Sequence, residues 1–133
     1  MGSVEVNYMA ILAAVVASMV LGFIWYTPQV FGAMWMKELG KKMDDIKSPG
    51  PGYLVMVIAS ALTAYVMRHF AVYAGADTWV LGLQVGLWAW IGFVATVGLS
   101  RMMFAEESPR LFMINNGYTL VQFLIVGAIV AGM

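Results

Sequence analysis

In a chain whose residues are 62% hydrophobic, the polar side chains that interrupt the apolar runs are where chemistry would have to reside. Asn115, Thr119 and Gln122 fall at i, i+4 and i+7 and share one helix face, with Asn116 and Tyr118 beside them. An amide or hydroxyl carried into hydrocarbon loses its water and seeks a protein partner. This face is therefore expected to point into protein in the first half of its helix, either bonding helices together or lining a polar pocket. Arg68 follows a run of apolar and small residues that begins at Tyr53. At 1.5 Å per residue it lies about 22 Å along that helix, within snorkelling distance of the far membrane surface. Its expected partner is Asp77, with Glu5 second, and the pair Arg68 and Asp77 reads as a charged anchor.

Catalysis finds little to work with. No Asp or Glu interrupts an apolar run, so a sheltered general acid or base is missing. Glu106 and Glu107 adjoin Arg101 and Arg110, where pairing within a loop explains them. There is one histidine and no cysteine, which removes thiolate nucleophiles and a multi-histidine metal centre within one chain. No serine–histidine–acid, metal-helix or phosphate-loop pattern is present. No catalytic residue, metal or cofactor is assigned. The zero formal net charge gives no field for nucleic acid.

The elements that must position the polar face are membrane helices. Charged residues are only 11% of the 133, and a soluble core of this size cannot hide so much apolar surface. The expectation is a single all-α transmembrane domain over the whole chain. Its four spans, at about 8–26, 53–75, 79–100 and 111–132, are each long enough for a ~30 Å hydrocarbon core. An interfacial amphipathic helix at about 28–40 follows the first span. Trp25 and Tyr26, with apolar bodies and polar tips, mark an interfacial corner. Thr27 and Pro28 then read as N-cap and first helical residue, and Trp35 falls on the apolar face of the segment that follows. Ser48-Pro49-Gly50-Pro51-Gly52 reads as a stiff non-helical connector.

Small residues supply the packing faces. Ala10, Ala14, Ser18 and Gly22 repeat at i+4 down the first span, and Gly82-x-x-x-Gly86 sits in the third; both spacings let helix backbones approach closely in lipid. Orientation follows from the basic residues. Lys37, Lys41, Lys42, Lys47, Arg101 and Arg110 fall in loops 27–52 and 101–110, against Arg68 alone on the other side. Both loops are expected in the cytoplasm and both termini outside.

Asn7-Tyr8, Trp25-Tyr26-Thr27-Pro28 with Phe31-Gly32 and Trp35-Met36, and Asn115-x-Gly117-Tyr118 together resemble a bacterial family of small four-span membrane proteins, domain of unknown function 1761. The family often has serine where this chain has Thr27. The resemblance implies the four-span fold and a bacterial inner membrane, and it carries over no reaction. The functional expectation is an oligomeric helix-packing or accessory subunit, acting with copies of itself or with a partner membrane protein in the lipid bilayer. The alternative is a small homo-oligomeric transporter or channel whose path the fourth span lines.

Overall fold

The computed structural model describes residues 2–40 and 50–133. Most of those residues are helical, with no strand among them, and four of the helices are long and apolar enough to cross a membrane. Lys41, Lys42 and Lys47, counted above for orientation, and Ser48-Pro49 of the expected connector lie outside the described residues.

α1 (Tyr8–Trp25) starts where the Asn7 side chain accepts the Met9 and Ala10 N–H groups at 3.0 and 3.4 Å, meeting donors that have no partner within the helix. Its end departs from expectation. The Thr27 hydroxyl does not cap the next helix but donates back to the Ile24 carbonyl at 3.0 Å. From Pro28 to Gly32 the chain makes a wide π turn, closed by the Gly32 N–H on the Thr27 carbonyl at 2.8 Å. Only glycine permits this closure, because a Cβ at position 32 would collide with the Tyr26 and Thr27 carbonyl oxygens. α2 (Ala33–Leu39) continues from it and stops at Gly40, whose φ of 71° is the left-handed conformation that ends many helices.

α3 (Gly50–Tyr73) corrects the reading of the connector, since Gly50, Pro51 and Gly52 are helical. Pro51 lies in the first turn, where N–H groups have no intrahelical acceptor and a missing one costs nothing. A tight turn through Gly75 (φ 72°) then leads to α4 (Trp79–Ala89). Thr78, rather than Asp77, caps α4 by accepting the Leu81 N–H at 3.2 Å. α4 runs through a second π turn, Trp90–Ala95, directly into α5 (Thr96–Phe104). The Thr96 hydroxyl bonds the Gly92 carbonyl at 2.7 Å and Ser100 bonds that of Thr96 at 3.1 Å, so side chains take up acceptors around the wide turn. The third span therefore extends past position 100 and includes Arg101. The connection to α6 (Pro109–Gly132) shrinks to a few residues around Glu106, which adopts a left-handed φ of 55°. Ser108 caps α6 and Pro109 occupies its first turn.

α6 is the axis of the bundle, meeting α1, α3, α4 and α5. Against α4 the approach is backbone on backbone: a Cβ on Gly82 would strike the Gly127 carbonyl, and one on Gly86 the Phe123 carbonyl. α1 turns toward the bundle interior the four residues that are its only buried ones, Ala10, Ala14, Ser18 and Gly22. α3 buries Ser60, Ala64, Met67 and Ala71. Ala14, Ala64 and Val126 meet in one apolar cluster, so the α1, α3 and α6 faces share a level there.

Candidate functional site

The polar groups converge where α1 ends. The Trp25 indole donates to the Ile114 carbonyl at 2.9 Å, and the Tyr26 hydroxyl donates to Asn115 Oδ1 at 2.8 Å. From the other side the Trp90 indole donates to both the Asn116 carbonyl and Thr119 Oγ1, each at 3.1 Å. The Thr119 hydroxyl itself donates to the Asn116 carbonyl at 3.0 Å, and Asn116 Nδ2 to the Phe112 carbonyl at 2.9 Å. The Tyr118 hydroxyl reaches the Ser18 carbonyl at 3.1 Å. Two indoles thus grip α6 on carbonyls two residues apart.

Glycines make room for this grip. A Cβ at Gly117 would lie 3.1 Å from the Trp25 ring, and one at Gly98 would lie 2.6 Å from Asn116 Oδ1. The π turn after exposed Pro28 folds Phe31 back onto Trp25, with ring centroids 4.7 Å apart. It likewise brings Trp35 edge-on to Tyr26 at 5.4 Å. Tyr118 completes the stack, 5.6 Å from Tyr26.

Asn115, Asn116 and Thr119 are therefore gathered with Trp25, Tyr26 and Trp35, while Gln122 lies farther along α6, 8% exposed. A helix break at Thr27-Pro28 would free carbonyls that amides of α6 could satisfy, and the bonding at the break itself runs the other way. Amides of α6 do not satisfy carbonyls freed at the end of α1; the rings of α1 donate to α6, and Thr27 bonds the Ile24 carbonyl. The ring handles of Trp25 and Tyr26 are likewise engaged inside the protein rather than left for headgroups. Trp90 and Gly98 do not stand out in the sequence as members of this site. Neither has a local signature, because what matters is the register of α4 and α5 on α6.

At the opposite end Arg68 corrects the expected ion pair. Its Nε donates to the Glu5 carbonyl at 2.9 Å and its Nη1 to the Val130 carbonyl at 3.0 Å, and Asp77 is not paired with it. The Val130 carbonyl is in the last turn of α6, where no N–H remains to meet it, so a nearby guanidinium finds an acceptor without a carboxylate. The one ion pair among the described residues joins Arg101 Nε to Glu107 Oε2 at 3.0 Å. No group of three or more metal-ligating side chains occurs among those residues.

Hydroxyls, amides and indoles bonded to one another and to backbone carbonyls form a joint between helices. No curated protein and no solved structure matches the chain. Residues 9–131 match the profile of the family described as Protein of unknown function (DUF1761), and the chain belongs to that family.

Proposed function

We propose that the protein is a non-catalytic packing or accessory subunit of the bacterial inner membrane, assembling with copies of itself or with a partner membrane protein. Its Trp25 end faces the cytoplasm in this reading and both termini lie outside. What supports the reading is the engagement of the α6 polar face. Asn115 and Thr119 are bonded across helices to Tyr26 and Trp90, and Asn116 closes on the Phe112 carbonyl of its own helix, so three of the four groups that would line a path are engaged within the bundle. Such a joint gives a rigid body whose lipid-facing surfaces are free for assembly.

The test is cross-linking in native membranes, paired with solute and ion flux in liposomes containing the purified protein. The expected result is a cross-linked oligomer or hetero-complex with flux at the protein-free level. Flux that Asn115→Leu abolishes in a folded protein would replace this reading with a homo-oligomeric transporter or channel.

A further inference from the structure

Where α1 begins and α6 ends, half-buried Arg68 carries more donor capacity than the fold uses. Its two acceptors are neutral backbone carbonyls. Among the described residues no carboxylate lies within ion-pair distance of it, and the rest of its N–H fork has no protein acceptor. Two clefts open against this cation. One, of about 490 Å³, is bounded by Glu5, Val6, Asn7, Arg68 and Met133. The other, of about 430 Å³, has Arg68 and Asp77 in its walls. Each cleft thus combines the guanidinium with a carboxylate too distant to pair with it directly.

An apolar groove of about 700 Å³ lies beside the first cleft, and Met133 borders both. It runs along the outer side of α1 from Met9 past Ala13 and Ala17 to Ile24, with Ile125 of α6 on its far wall. From Met9 to Ile24 the helix rises about 22 Å, more than the ~15 Å that one leaflet's hydrocarbon occupies. A cation and a carboxylate at the mouth of an acyl-length groove match a lipid that carries both charges.

We infer that this end of the bundle binds one zwitterionic phospholipid. Its phosphate accepts from the free N–H groups of Arg68, its primary ammonium donates to Glu5, and one acyl chain lies in the α1–α6 groove. Planar guanidinium suits a phosphodiester, which accepts two parallel hydrogen bonds. A purely anionic headgroup would leave Glu5 facing negative charge. The depth also fits, because Arg68 meets α6 in its last turn, where headgroups begin. This site stands whichever way the chain is oriented and whether or not it assembles.

Native mass spectrometry of the full-length protein, released from detergent with phosphatidylethanolamine or phosphatidylglycerol of identical chains, tests the inference. The wild type is expected to retain phosphatidylethanolamine about tenfold better. Arg68→Gln should lose that retention. Because Arg68 also ties Glu5 to Val130, two further variants keep the test decisive if Arg68→Gln does not fold. Glu5→Gln alters an exposed carboxylate that bonds nothing among the described residues and should erase the preference between the two lipids. Ala17→Phe fills the groove and should lower retention of both. Equal retention of the two lipids by the wild type, or unchanged behaviour of Glu5→Gln and Ala17→Phe, overturns the inference. So does a lipid-free dimer with its cross-links in the α1–α6 groove, which would make a second copy the occupant.

Discussion

Asn115 and Tyr26 are a pair whose coupling can be measured. The hydroxyl donates to the amide oxygen at 2.8 Å between two half-buried residues, and such bonds between membrane helices contribute on the order of ~1 kcal/mol. Asn115→Leu and Tyr26→Phe should each lower stability by about that amount. The double variant should cost little more than either single one, because the second change removes a bond already lost. Additive losses in reversible unfolding from detergent would show that the bond contributes nothing. Glycines allow a similarly sharp comparison. Gly117→Ala forces a methyl to within 3.1 Å of the Trp25 ring, whereas the same change at Gly92 meets nothing within 4 Å. The expected order of melting temperature is Gly92→Ala at or above wild type, with Gly117→Ala several degrees below. Equal melting temperatures would mean that the Trp25 ring moves aside freely.

Among elements, the small-residue faces are not equivalent. The added Cβ of Gly82→Ala or Gly86→Ala meets the backbone of α6, which cannot rotate away. That of Gly22→Ala would sit 3.5 Å from the Tyr118 hydroxyl, an ordinary contact. The α4 substitutions should therefore separate helices and lose ~2 kcal/mol or more, as overpacking does in other cores, while Gly22→Ala stays near wild type. Gly22→Leu is a different case, since its branches must displace Tyr118 or Met56, and it should disturb packing far more than Leu21→Ala. Thermal unfolding of the five variants in one detergent decides the ranking, and a Gly22→Ala loss equal to that of Gly82→Ala would contradict it. The i+4 repeat of α1 and the GxxxG of α4 were both legible as spacing. How near each approach comes was not, because spacing identifies a face and says nothing of what the opposing helix presents.

For the whole molecule, hydropathy made the four spans readable, since a ~30 Å apolar core demands helices of that length. Helix ends are less legible. Pro51 reads as a breaker, although proline is at ease in a first turn, and position 100 reads as an end, although α5 carries Arg101 to the ion pair with Glu107. The polar face of α6 was visible at its own i, i+4, i+7 spacing. Its partner Trp90 was hidden, because 29 residues separate it from Thr119 and only the α4–α6 crossing brings them together. Orientation is testable directly, because the chain has no native cysteine. Single cysteines at exposed Lys37 and Asp77 should label oppositely with an impermeant maleimide in intact cells, Asp77→Cys reacting and Lys37→Cys not. Reaction at position 37 alone would invert the molecule in the membrane.

The wide turn at Trp90–Ala95 also bears on how chain length can vary among relatives. A π turn accommodates one residue more than an α-helix over the same rise, as an insertion absorbed without breaking the helix would. Deleting one residue there, exposed Gly92 for example, should restore ordinary helix and leave everything beyond it in register, whereas the same deletion from plain α-helix would rotate the remainder by about 100°. Gly98 would then still face Asn116, and Arg101 would still meet Glu107. Length in this segment can thus change without any change of residue identity downstream. A relative one residue shorter between Trp90 and Ala95 should keep its small residue and its basic residue at the spacing after Ala95 that Gly98 and Arg101 have here, which an alignment of the family can reveal.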